Sequence, residues 1–166
     1  MPSVSFTAYL STAYTNKDYS LGSSIVASFS SGSIPSGSQI TSVSLYISSM
    51  RVYTSKGLYL TLGSLGSTST MSYNESIHSN NLSFASTGSL AGFSGGSVTI
   101  YINTAQSTSG SMVNFRDGCY MTLTVNYAQS TNVSTATVSP SSVQVGSAVS
   151  LTIYASSGTY HTATWA

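Results

Sequence analysis

Six stretches of this chain alternate apolar and polar residues with a period of two, and no other pattern competes with it. "SVSFTAYL" puts Val4, Phe6, Ala8 and Leu10 on one face. "SIVASF" groups Ile25, Ala27 and Phe29, and "ITSVSLYISSMRVY" groups Val43, Leu45 and Ile47. "LYLTLG" aligns Leu58, Leu60 and Leu62, and "SVTIYIN" aligns Val98, Ile100 and Ile102. "CYMTLTVNY" aligns Cys119, Met121, Leu123 and Val125. Strands send successive side chains to opposite faces, whereas a helix returns to one face every three or four residues. No window carries a helical stripe. The segments between are rich in Ser and Gly, as in "SSGSIPSGSQ" and "STGSLAGFSGGS". The pattern predicts an all-β domain of about eight strands, with two antiparallel sheets packed as a sandwich.

Several local expectations follow. In "VNFRDGCYM" an Asp-Gly pair separates two strand-like runs, which predicts a hairpin with Arg116 and Asp117 at its turn. The segment from Met71 to Phe93 shows little alternation. It is the first candidate for a binding loop, since long loops in compact domains are often functional. Cys119 is the only cysteine, so no internal disulfide forms, and its place in the alternation makes it a small core residue. After Tyr127 the pattern breaks. Residues 1–127 read as the main domain, Ala128 to Thr135 as a linker and 136–166 as a second unit. That unit carries a turn at Pro140-Ser141-Ser142, a "VQVG" run, a strand bearing Val149, Leu151 and Ile153, and a last strand in "TYHTATWA".

Charge decides which partners are open to such a surface. Only 4% of the 166 residues are charged, and the formal net charge is +1. An ordinary globular protein carries roughly a quarter charged residues. Lys17, Arg51, Lys56 and Arg116 are scattered and form no basic run, which argues against nucleic acid. No apolar run approaches the roughly 20 residues of a membrane span. Solubility rests on hydroxyls and amides, and a surface near zero charge favours association. The N-terminal "MPSVSFTAYLSTAYT" lacks the basic and apolar regions of a signal peptide.

Catalytic chemistry finds little to use. The acids are Asp18, Glu75 and Asp117, and the histidines His78 and His161. "NESIH" spaces Glu75 and His78 as a metal pair only on a helix, with no third ligand in sequence reach. Three acids offer poor odds for a paired-carboxylate hydrolase, and no Gly-x-Ser-x-Gly elbow occurs. The expectation is no enzyme, no metal and no cofactor. Three Asn-x-Ser sequons, at Asn74, Asn81 and Asn132, arise by chance in so serine-rich a chain.

The tyrosines carry more information. Tyr46, Tyr59, Tyr101 and Tyr120 alternate with core positions in their strands and should point away from the sandwich interior. Tyrosine joins a large apolar ring to a hydroxyl, which suits subunit interfaces and sugar stacking alike. Scattered surface tyrosines are the plain alternative, because tyrosine favours strands in any case.

Two stretches resemble known proteins. "SIPSGSQITSVSLYI" and, later, "FRDGCYMTLTVNY" look like the start and finish of jelly-roll modules in phage tail proteins and in cell-surface proteins of Gram-positive bacteria. "VSPSSVQVGSAVSLTIYASSGTYHTATW" resembles the first strands of an immunoglobulin-like repeat in minor structural and tail-fibre proteins of siphophages. The resemblances imply an all-β chain, a jelly-roll-like antiparallel sandwich followed by a partial Ig-like segment. An Ig-like sandwich needs about seven strands and about 100 residues. The chain is therefore expected to be part of a longer protein, or else completed by other chains. The function expected is a non-enzymatic virion component of a tail, tail fibre or baseplate, made in the host cytoplasm. It would self-associate and join other virion proteins, with a host cell-surface glycan as a further partner. The alternative is a carbohydrate-binding module of a secreted or cell-surface bacterial protein.

Overall fold

The computed structural model describes residues 2–35, 37–90 and 92–128 in full, and the backbone of 133–139, 149–155 and 160–165. The described residues contain strands and turns and no helix. The chain divides into two units, Met1–Gln129 and Ser130–Ala166.

The first unit contains ten strands: β1 (Ser3–Tyr9), β2 (Lys17–Ser20), β3 (Ser24–Phe29), β4 (Gln39–Val52), β5 (Leu58–Leu62), β6 (Gly66–Thr68), β7 (Asn74–Thr87), β8 (Gly96–Thr104), β9 (Ser111–Phe115) and β10 (Tyr120–Ala128). Every pairing is antiparallel. One sheet runs β1-β10-β4-β7 and the other β3-β8-β5-β6. β7 bends from the first sheet into the second, where Gly66 faces Thr87 and Thr68 faces Phe84. On the opposite side, the Ser30 N–H donates to the Thr7 carbonyl at 2.8 Å, which nearly closes the sandwich.

The Asp-Gly turn forms, but the hairpin does not. β9 and β10 do not pair with each other. β10 lies along β4 from Ile47 to Gln39, and β9 continues along β4 from Met50 to Val52. They are two lengths of one strand, with 116–119 looped out between them. The Arg116 N–H donates to the Ser49 carbonyl at 3.1 Å, the Cys119 N–H closes the turn on Arg116 at 3.0 Å, and the Tyr120 N–H donates to Ser48 Oγ at 2.9 Å. Gly118 supplies the positive φ of 71° that the turn requires. β1 and β2 run beside β10 and β9 in the same interrupted way. With each composite counted once, ten strands become eight, in the order of a jelly roll.

The core is the set of inward positions that the alternation marks. Phe6, Leu45, Ile47, Leu60, Ile100, Met121 and Leu123 are fully buried, as is Cys119. Fully burying a side chain of the Leu, Ile or Phe size contributes about 1.5–3 kcal/mol each.

The expected loop from Met71 to Phe93 is mostly strand: β7 occupies Asn74–Thr87. Its alternation is real but partly polar. Leu82 is buried and Phe84 packs on the core, while the preceding positions in phase, His78 and Asn80, are half-buried polar groups. Asn80 Nδ2 lies 3.0 Å from His78 Nε2 and 3.5 Å from Met50 Sδ. His78 Nδ1 lies 2.8 Å from the Ser76 carbonyl, so the Nδ1–H tautomer satisfies both ring nitrogens. A pattern search by hydrophobicity misses a strand whose inner face is built this way.

In the second unit, β11 (Val133–Ser139), β12 (Val149–Ala155) and β13 (Tyr160–Trp165) form an antiparallel sheet in that order. The stretch expected as a linker is strand at both ends, since β10 reaches Ala128 and β11 begins at Val133. The expected turn at Pro140-Ser141-Ser142 and the "VQVG" run lie outside the described residues.

Two glycine replacements separate backbone strain from steric overlap. Gly118→Ala meets open space and pays only the left-handed conformation, about 1–2 kcal/mol. Gly66, with φ 133°, sits where a Cβ would overlap the Ser86 carbonyl oxygen, so Gly66→Ala loses clearly more. Urea midpoints of the two variants check the order; equal losses would contradict it.

Candidate functional site

The outer face of the first sheet is uncharged over β1, β10 and the part of β4 that pairs with β10; Arg51, farther along β4, lies opposite Asn114 of β9. Its register sets outward residues in rows: Ser3–Asn126–Ser42, Ser5–Thr124–Ser44 and Thr7–Thr122–Tyr46. Hydroxyls and amides satisfy one another along these rows. Ser5 Oγ meets Thr124 Oγ1 at 3.1 Å, Thr7 Oγ1 meets Thr122 Oγ1 at 3.3 Å, and Asn126 Nδ2 donates to Ser42 Oγ at 2.9 Å.

At one end of the rows stand three tyrosines. Tyr9 of β1 lies directly opposite Tyr120 of β10, with ring centroids 5.6 Å apart. Tyr46 of β4 lies 5.8 Å from Tyr120 on the other side. Both contacts are tilted at 46°, within the geometry that aromatic pairs prefer. Tyr9 is 74% exposed, the most exposed large apolar side chain among the described residues. The neighbouring Tyr46 phenol, followed by partial desolvation and by Tyr9, holds the Tyr120 phenol above the usual range.

The second sheet carries a different feature. Tyr101 of β8 faces Ser24 on one side and Thr61 on the other and is 45% exposed. Tyr59 of β5 faces Asn103, whose Nδ2 donates to Thr61 Oγ1 at 3.0 Å. Beside Tyr101 lies an open groove of about 460 Å³, with Ser64, Leu65, Phe93, Ser97 and Thr99 in its lining.

The four tyrosines singled out in the sequence therefore fall into two pairs. Tyr46 and Tyr120 stack on one sheet, while Tyr59 and Tyr101 lie on the other. Tyr9 belongs to the first group and was legible, because the alternation that sends Ala8 and Leu10 inward sends Tyr9 outward. The groove had no such signal.

The remaining charged residues near the looped-out turn hold the composite strands together. Asp18 accepts from Asn114 Nδ2 at 2.8 Å and from Ser111 Oγ at 3.4 Å, and Asp117 accepts from Thr15 Oγ1 at 3.5 Å. Glu75 and His78 lie three apart on β7, hence on opposite faces of a strand. No group of three or more His, Cys, Asp or Glu is placed to hold a metal ion among the described residues. Burial pushes the Cys119 thiol up.

Removing the Tyr46 hydroxyl tests the row. In Tyr46→Phe the Tyr120 titration midpoint moves down toward the ordinary phenol value, read from the Tyr120 ring carbon by NMR. Because the folded value is raised, any stability linked to Tyr120 is complete below pH ~10 and declines as pH rises through the midpoint. Cys119 should react with a disulfide reagent only as fast as the domain opens, since thiolate character and access are both suppressed. Prompt reaction in the native state would contradict its burial.

No protein-family model matches the chain, and neither a curated protein nor a solved structure does.

Proposed function

We propose that this chain is a non-enzymatic structural protein of a phage virion, working in a tail, tail fibre or baseplate by assembly with copies of itself and with other virion proteins. The observation that carries the reading is the uncharged stretch of the first sheet's outer face, over β1, β10 and the part of β4 paired with β10, with its Tyr9, Tyr120 and Tyr46. Such a face has no like charge to repel a second one. Its rings offer the large, rigid contact area that interfaces favour, and its rows of hydroxyls and amides offer hydrogen bonds around them. A chain with 4% charged residues carries little net repulsion to keep copies apart. The resemblance of the first segment to modules of phage tail and Gram-positive cell-surface proteins, and of the second to a siphophage repeat, supports the same setting. A second reading, a carbohydrate-binding module of a secreted or cell-surface protein, draws on the groove beside Tyr101.

Light scattering of residues 1–166 over a range of concentrations tests the first reading. Assembly predicts a stable trimer or larger closed oligomer, which the double variant Tyr9→Ser/Tyr120→Ser dissociates without lowering its melting temperature by more than a few degrees. A monomer at every concentration would remove self-assembly and move the weight to the second reading.

A further inference from the structure

We propose that the groove beside Tyr101 binds an uncharged pyranose unit of a glycan. The site lies on the second sheet, away from the tyrosine row, and does not depend on the assembly reading.

Three observations converge on that ligand. The first is the order of side chains along β8. Ser97, Thr99 and Tyr101 are successive outward positions, with Val26 exposed beside Thr99 on β3. A pyranose presents a C–H face and a rim of hydroxyls. The Tyr101 ring suits the face and the Ser and Thr hydroxyls suit the rim. None of the lining residues is charged, so an anionic or cationic ligand would shed water without gaining a counter-charge.

The second is that the groove is already formed. The Leu65 N–H closes a turn on Leu62 at 2.8 Å. The Gly88 and Ser89 N–H groups then bind the Leu65 and Ser64 carbonyls at 2.7 and 2.8 Å. A Cβ at Gly88 would overlap the Ser64 carbonyl oxygen, so this close approach needs glycine. Phe93 is fixed by edge contacts with Phe6 at 4.9 Å and Phe29 at 6.4 Å. A preformed site avoids the ordering cost that weakens small-ligand binding. Its volume falls within the roughly 300–1,000 Å³ of small-molecule sites.

The third excludes a peptide strand. β8 is hydrogen-bonded to β3 on one side and β5 on the other, so it has no free edge for strand addition. Recognition must come from side chains on the sheet surface, as a sugar requires.

The test is an NMR titration of ¹⁵N-labelled protein with neutral disaccharides (cellobiose, maltose, lactose, chitobiose), with glucuronic acid as the charged control. At least one neutral sugar should give saturable shifts confined to the amides of 63–65, 93, 95 and 97–101, with a Kd of order 1 mM, a level worth about 4 kcal/mol. Tyr101→Ala should weaken binding about tenfold, the loss of one aromatic contact, while Tyr101→Phe retains most of it. Thr99→Arg, which fills the groove from the solvent side, should abolish the shifts and serves as the control if Tyr101→Ala is poorly folded. The proposal is overturned if no neutral sugar shifts these amides, if glucuronic acid does so equally well, or if the shifts map to Tyr9, Tyr46 and Tyr120. Oligomeric state is read separately, so failure here and failure of the assembly reading are distinguishable.

Discussion

The sandwich depends on the pairing capacity of β4. Its 14 residues hydrogen-bond to β10 and then β9 on one edge, and to β7 on the other. This one strand lets two shorter segments behave as a single long one, with the 116–119 turn looped out between them. The loop matters because it resets phase. Ser48 and Ser49 receive the Tyr120 and Arg116 amides, and beyond them Met50 and Val52 again point inward. Without that reset, one half of the composite strand would send its apolar side chains to solvent. The same reset delivers Tyr120 to the outer face beside Tyr9 and Tyr46.

What the sequence revealed, and what it hid, follows from the range of the interactions involved. Alternation is local, so the inward set Phe6, Leu45, Leu60, Ile100 and Leu123 and the outward phase of all four tyrosines were legible. Strand partnership is not local. "RDGC" has the same chemistry in a hairpin turn and in a loop between collinear strands, and only β4, some seventy residues earlier, distinguishes the two. Which tyrosines meet is equally a matter of strand order, so Tyr46 and Tyr120 come together while Tyr59 and Tyr101 fall on the other sheet. β7 was hidden for a different reason. Its inner face carries His78 and Asn80, which satisfy one another by hydrogen bonding rather than by being apolar.

Scarcity of charge shapes the surface as strongly as alternation shapes the core. Cross-strand pairs of Ser and Thr contribute roughly 0.2–1 kcal/mol each. They hold side chains in register at little desolvation cost, but they do nothing to keep copies of the protein apart. The exposed half of β7 shows where protection does exist. The register shifts opposite Met50 and Val52 make its ladder with β4 irregular, and such irregularity is one of the ways a strand with a free edge avoids open-ended pairing. That edge is irregular, while the rows of β1, β10 and the paired part of β4 stay regular and uncharged.

The two outer faces reach their form by separate physical routes. The tyrosine row is built from side chains on a regular ladder, so it tolerates substitution with little effect on the backbone. The groove sets the side chains of β8 beside a wall of backbone, the Ser64–Leu65 turn, which the glycine at 88 allows the chain to approach so closely. Because a packed core from both sheets lies between the two faces, substitutions on one face should act on the other only weakly, as sites without shared contacts do. The proposed assembly and the proposed sugar binding are compatible only with that independence, because each must leave the other's face free.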